Sequence, residues 1–368
     1  MTIREVGKGR VIEAVGGRRT AWSRQGSIVT LSGSGVVPAP VNAALPVVSG
    51  VVRDGESLSC STGSWTNSPD TYAYQWLLDG VPIIGASTAS LVVTPSMIPA
   101  QISCEVTATN AGGSTMTTAL AISSPLRAIF QLDASARIWT HQQGISTPVG
   151  DPVSAWVSVD GLHTLVQAQT TRQPLRRAGD VYLDGLDDCL YGNDQASLFD
   201  AAYTVAAGVS DLATTNEIRG LLCAAISGVS TSARRTHYWK LSMGTAALLS
   251  RQSYLAGGDG SAAQVDLTSL YALGATHRFN LSVRSDTPGS GVIQAHRLTA
   301  PLTLIDGQSW PPYTGGMDLL TIGAQRLSGA APYYHFAGSL RYLIIIPRKL
   351  DDVELGIVRD ALAAEGLT

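Results

Sequence analysis

Few residues of this 368-residue chain are placed to do chemistry. Three acids stand together in Asp184-Gly-Leu-Asp187-Asp188, and two more flank a glycine-rich run, Asp259 in Gly257-Gly-Asp-Gly260 and Asp266. Grouped acids can divide proton transfer and nucleophilic attack between them in glycoside hydrolysis, or gather around calcium, which takes oxygen ligands from loops. Asp187, Asp188, Asp259 and Asp266 are therefore the candidate calcium ligands, and each also reads as an ordinary turn or surface acid. A hydrolytic pair is harder to assemble, because beyond residue 125 the glutamates are Glu217, Glu354 and Glu365, and the last two fall in the terminal segment. The six histidines are scattered without His-x-x-x-His spacing, and neither Gly-x-Ser-x-Gly nor a phosphate-binding glycine loop occurs. Cys60, Cys104, Cys189 and Cys223 form no Cys-x-x-Cys pair, so sulfur-bound zinc is not expected. The residues point to a chain that is not an enzyme and carries no organic cofactor.

Binding chemistry has one better candidate. In Gln308-Ser-Trp310-Pro-Pro-Tyr313-Thr-Gly-Gly316 the prolines stiffen the backbone and keep Trp310 and Tyr313 from both being strand-core residues. Exposed rings of this kind stack on the apolar face of a sugar while amides and acids read its hydroxyls. The same rings could instead cap a sandwich or meet a neighbouring subunit.

These residues must be held by β structure. Charged residues make up 14 % of the chain against 45 % apolar, with 38 glycines and only seven glutamates, a composition for sandwiches with tight turns. A net charge of −3 gives no reason to expect nucleic-acid binding. The first residues hold no apolar core of signal-peptide length, and no stretch approaches the roughly 18 apolar residues of a membrane helix. The expectation is synthesis in the cytoplasm without membrane insertion.

Residues 1–44 carry six basic side chains against two acidic ones, a net of +4, in a segment too small and glycine-rich to bury its own core. It reads as a docking arm, or as a frayed tail, ending in a linker at Ser32–Gly35 and Pro38-Ala-Pro40. From residue 45 to 124 a two-residue period runs through Leu58 and Cys60, through Tyr74, Trp76 and Leu78, and through Ile102, Cys104 and Val106, with turns at Asp79-Gly80 and Asn110–Gly113. Cys60, Trp76 and Cys104 in this order resemble the core of a bacterial immunoglobulin-like domain, which implies an indole packed against two sulfurs between sheets. Ile102 stands where that pattern has a corner tyrosine. Whether the two sulfurs are bonded is left open, since cytosolic synthesis keeps thiols reduced and sandwich geometry permits a bridge.

Residues 125–368 offer nine or more strand candidates, among them Ala128–Leu132, Tyr203–Val209, Gly220–Ile226 and Leu340–Ile346. Val181 and Leu183 lie on one face before the Asp184-Gly185 turn, with Leu186 and Leu190 expected to supply apolar contacts after it, as a β-corner. The one helix is terminal, with Asp351 and Glu354 as a capping box, Leu350 and Leu355 as a staple, and Gly366 at its end. Gln169-Thr-Thr-Arg-Gln-Pro174, the corner, and Phe336–Leu340 with Tyr342–Leu350 resemble the laminin-G-like, concanavalin A-like lectin/glucanase jelly roll of bacterial and phage proteins. The resemblance implies a jelly roll, while the glucanase spacing Glu-x-Asp-x-x-Glu is absent. The fold expected is all-β, an immunoglobulin-like β-sandwich plus a concanavalin A-like jelly-roll β-sandwich with a short C-terminal helix.

By analogy of layout, an arm, a spacer and a lectin-like head imply a bacteriophage or phage-like virion protein, a tail fibre or tip component or a head decoration spike. Its partners would be other virion proteins through residues 1–44 and a host-surface glycan through residues 125–368, with many copies per particle. The alternative is a purely structural decoration protein; a glycan-processing enzyme and a secreted adhesin rank below both.

Overall fold

The computed structural model describes residues 3–6, 9–13, 18–22, 28–32, 36–193, 202–210, 218–225, 236–243, 247–254, 261–266, 278–285, 292–298, 303–309, 319–324 and 335–367. The chain is all-β, two sandwiches with a short C-terminal helix, preceded by a small sheet. That sheet is an antiparallel meander of β1 (Ile3–Val6), β2 (Gly9–Glu13), β3 (Arg18–Trp22) and β4 (Ile28–Ser32) in sequence order.

The smaller sandwich uses β5 (Val41–Ala44), β6 (Val48–Ser49), β7 (Ser57–Cys60), β8 (Ser64–Thr66), β9 (Thr71–Leu78), β10 (Val81–Pro82), β11 (Ser90–Val92), β12 (Ile102–Asn110) and β13 (Gly113–Thr118). One sheet has the order β10-β9-β12-β13, the other β11-β7-β6, and β5 pairs with β8. Asp79 and Gly80 both take positive φ and close the β9–β10 hairpin, as the Asp-Gly pair predicts. Along β12 every second side chain is buried, and Cys104 lies opposite Trp76 of β9. The stretch expected to be a linker lies against this sandwich: Asn110 Nδ2 donates to Pro38 O at 2.9 Å and Asn67 Nδ2 to Ala39 O at 2.7 Å. A Cβ on Gly112 would come 2.0 Å from Val37 O, so the close approach requires glycine there.

The larger sandwich begins with α1 (Arg127–Leu132) and ends with α2 (Asp352–Ala364). Between them lie β14 (Arg137–Thr140), β15 (Ala155–Val157), β16 (Thr164–Val166), β17 (Leu175–Arg176), β18 (Val181–Asp184), β19 (Leu190–Asn193), β20 (Tyr203–Ser210), β21 (Ile218–Ala225), β22 (Thr236–Met243) and β23 (Ala247–Tyr254). They continue with β24 (Ser261–Asp266), β25 (Arg278–Ser285), β26 (Val292–Arg297), β27 (Thr303–Ser309), β28 (Leu319–Ile322) and β29 (Ala337–Ile346). One eight-stranded sheet runs β17-β18-β29-β20-β25-β26-β27 with β14 also on β29; the other runs β15-β16-β19-β28-β21-β22-β23-β24. β29 is buried over its whole length, Ser339 and Arg341 included, because it lies between neighbouring strands with both faces covered, and its apolar run is Tyr342–Ile346. Gly208 of β20 faces Tyr342 of β29, and a Cβ there would lie 2.4 Å from the ring, so the tyrosine occupies the space the glycine leaves.

Two expectations are corrected. Ala128–Leu132 lies in a helix instead of a strand, because Leu126 and Ile129 share the side of a helical turn that is buried against α2 and the smaller sandwich. Leu186, expected to supply apolar contacts, is 79 % exposed, since it sits on the corner's tip, whereas Val181, Leu183 and Leu190 are buried. The corner itself joins different sheets, β18 in one and β19 in the other. The terminal capping box is present as the sequence implies, with Asp351 accepting from Glu354 N and Glu354 accepting from Asp351 N, both at 2.8 Å.

One apolar cluster runs through the described residues without a break between the sandwiches. It joins Leu58, Trp76 and Cys104 through Ile98, Leu126 and Ile129 to Leu355, Val358 and Leu362 of α2, and on to Ile138, Tyr342 and Ile344 on the outer face of the β29 sheet. The two helices are thus a middle layer shared by both sandwiches.

Candidate functional site

Among the described residues, two places hold polar side chains in arrangements able to meet a ligand. The first is the corner. Gly185 takes φ +80°, and Asp184 Oδ1 accepts from Leu186 N at 2.8 Å, the side-chain closure of an Asx turn. Asp184 N donates to Asp188 Oδ2 at 2.9 Å, and Arg172 Nε lies 3.7 Å from Asp187 Oδ2. Carboxylate oxygens of Asp184, Asp187 and Asp188 all fall within 4.8 Å of one another. Asp188 is only 6 % exposed, and its carboxyl is pushed up to about 6, chiefly by burial and then by the two neighbouring acids, against the lowering pull of the Asp184 amide. Of the calcium candidates, Asp187 and Asp188 are thus brought together with Asp184. Asp259 lies outside the described residues, and Asp266 ends β24, the opposite edge of the sheet five strands from β19. Asp266 is therefore apart from the corner.

The raised Asp188 value has a definite sign. The folded chain holds a proton that the unfolded chain releases near pH 3.8, so ionising Asp188 in the fold removes stability as pH rises from about 4 to about 6. At roughly 1.4 kcal/mol per unit the loss approaches about 3 kcal/mol. Asp188→Asn keeps an oxygen for Asp184 N and is expected to flatten that limb, leaving the variant about 1–3 kcal/mol more stable than wild type at pH 7.5. Urea midpoints at pH 4.5, 6 and 7.5 check this, and an equal loss at all three would contradict it. Millimolar calcium that stabilises the wild type at pH 7.5, but not the variant, would identify the corner as a cation site.

The second place is a cleft of about 290 Å³ where the sandwiches meet. Its walls are Asp79 and Pro99 from the smaller sandwich and Asp160 and Leu162 from the larger, over a floor of Arg127, Phe130, Gln131 and Ala134. The helical spacing of Arg127, Phe130, Gln131 and Ala134 puts them along one side of α1 and its end. Asp79 Oδ1 accepts from Gln101 N at 2.9 Å and sits 3.1 Å from Arg127, whose guanidinium also donates to Pro99 O. Asp160 Oδ1 accepts from Ser158 Oγ and from Leu162 N, which fixes the loop that carries the 76 % exposed Leu162. Gly161 brings this loop to Pro95 of the smaller sandwich.

Buried polar contacts hold the junction. Glu365, with a side chain 1 % exposed, lies 3.3 Å from Arg53 and accepts from Ser124 Oγ at 2.6 Å, while Gln142 Nε2 donates to its carbonyl. Sequence reasoning missed the cleft, because its lining comes from four separated stretches and no motif links them. The only trace was the Asp79-Gly80 turn.

The remaining sequence candidates are placed as follows. Trp76 is fully buried between the sheets with its Nε1 donating to Thr88 O at 2.9 Å. Cys60 and Cys104 are free thiols within hydrogen-bonding reach of each other, and burial raises both, Cys104 to about 12. Trp310 and Tyr313 lie outside the described residues. No helix among the described residues is long and apolar enough to cross a membrane.

No protein-family model and no curated protein matches the chain. Among solved structures it is similar to Trypanosoma rangeli sialidase in complex with 2,3-difluorosialic acid, at 11 % identity and a TM-score of 0.40 over 97 % of this chain and 61 % of that one. It is also similar to the Ruminococcus gnavus IT-sialidase CBM40 bound to α2,6-sialyllactose, at 15 % identity and a TM-score of 0.35 over 44 % of this chain and 84 % of that one. The chain spans about 61 % of the length of the trypanosomal sialidase. The residues of the corner and the cleft, and not these distant likenesses, carry the chemistry.

Proposed function

We propose that the chain is a non-enzymatic attachment protein of a bacteriophage or phage-like particle, a tail fibre or tip component or a head decoration spike. In this reading residues 1–44 engage other virion proteins, residues 45–124 form an immunoglobulin-like spacer, and residues 125–368 form a concanavalin A-like lectin unit turned toward a host-surface glycan. The single observation that carries it is the junction: an unbroken apolar cluster and a buried Glu365 lock the two sandwiches together. A unit built this way holds a binding surface at a fixed distance from its attachment end, which serves display and multivalent contact. A second reading, a structural decoration protein that binds no glycan, draws support from the exposed Val36, Val41 and Val47, which follow the N-terminal sheet in the chain and suit packing on neighbours.

Full-length chain coupled at high density to beads is expected to bind glycans on an array and host bacterial cells, with the soluble chain binding far more weakly. Silence of the displayed chain on both would overturn the attachment reading and leave the structural one.

A further inference from the structure

Arg127, on the floor of the junction cleft, is committed to the protein around it. Its guanidinium meets Asp79 and Pro99 O, yet its Nε is buried without a hydrogen-bond partner. Around it stand an aromatic and an aliphatic wall, Phe130 and Leu162, and the polar heads of Asp79 and the exposed Gln131. An apolar face opposed by acids and an amide is the surface that binds a sugar ring, with the ring's carbon face on the wall and its hydroxyls on the polar groups. The volume of about 290 Å³ lies near the low end of small-ligand sites, roughly 300–1,000 Å³, so it takes a short saccharide and not a long chain in extended form.

The charges decide which saccharide. Arg127 already faces Asp79, and Arg137, the other cation near the cleft, bears on Asp160 and Asp133. Among the described residues, both of these positive charges are opposed by carboxylates, so neither is left to balance the carboxylate of an acidic sugar, and Asp79 would repel it. We propose that this cleft is a binding site for a neutral saccharide unit, with its hydroxyls meeting the Asp79 carboxylate and the Gln131 amide. The proposal rests on the attachment reading and adds to it a location and a ligand class.

The test uses the full chain on an array of neutral and sialylated oligosaccharides, followed by titration of the brightest neutral glycan into wild type, Leu162→Ser and Gln131→Ala. Both substituted side chains are exposed, so each variant is expected to keep the wild-type melting temperature. The expected result is a neutral hit whose affinity falls about tenfold or more in both variants. Unchanged affinity in both would place the sugar elsewhere, overturning the cleft while leaving the attachment reading intact. A preference for sialylated glycans would overturn the neutral assignment, and no glycan binding by the wild type would overturn the cleft and the glycan part of the attachment reading together.

Discussion

Glu365→Ala is expected to loosen the two sandwiches from each other and to cost about 3 kcal/mol of stability. The side chain is 1 % exposed and holds Arg53 and Ser124 at once. Removing it strands the buried Ser124 hydroxyl and leaves a partly buried guanidinium without its acceptor, and breaking a buried pair from one side costs about 3–5 kcal/mol. Arg53 retains 27 % exposure and can turn to water, so the lower end applies. Glu365→Gln keeps one acceptor for Ser124 and is expected to lose less. Urea unfolding gives the energy, and limited proteolysis of the connection between β13 and α1 reports the opening. A loss below about 1 kcal/mol with an unchanged cleavage pattern would mean that the apolar cluster alone holds the junction.

Trp76→Ala is expected to cost more, about 4 kcal/mol, within the 3–5 kcal/mol typical of truncating a buried large aromatic side chain. Trp76 is fully buried, belongs to the central strand β9 beside β12, and uses its indole N–H on Thr88 O. The variant loses packing and also leaves that carbonyl without its side-chain donor. Against a total of about 5–15 kcal/mol for a typical domain, this is a large share. Thiol labelling offers a second readout. In the wild type, burial covers Cys60 and Cys104 and raises their pKa values, so alkylation at pH 8 is expected only after unfolding. In Trp76→Ala both are expected to label under native conditions. Trp76→Phe, which refills most of the space, is expected to recover roughly half the loss. Equal labelling rates in wild type and Trp76→Ala would show that the indole does not seal this core.

Much of the β framework was legible in advance because alternation is a local property. A strand between two covered faces reads as Tyr342–Ile346 of β29 does, Asp-Gly must turn, and Asp351 with Glu354 must cap a helix, whatever surrounds them. The resemblance of Cys60, Trp76 and Cys104 to an immunoglobulin-like core implied that Trp76 and Cys104 share one core, and the two residues lie opposite each other on paired strands.

What local pattern could not decide was anything that depends on which surfaces meet. Arg127–Leu132 carries no strong periodicity, and it is helical because Ile129 finds α2 and the smaller sandwich beside it. Leu186 reads as apolar and so as buried, but the turn it occupies points away from both sheets. Glu365 stands at the end of the terminal helix, and it is buried because Arg53 and Ser124, far away in sequence, close over it. The junction cleft is of the same kind. The amino-acid order by itself determined two sandwiches, their turns and their terminal helix, because those follow from side-chain alternation and backbone preference. Only the tertiary structure decided that the sandwiches share a helical layer and enclose a polar cleft, because burial and charge pairing are set by neighbours brought together across hundreds of residues.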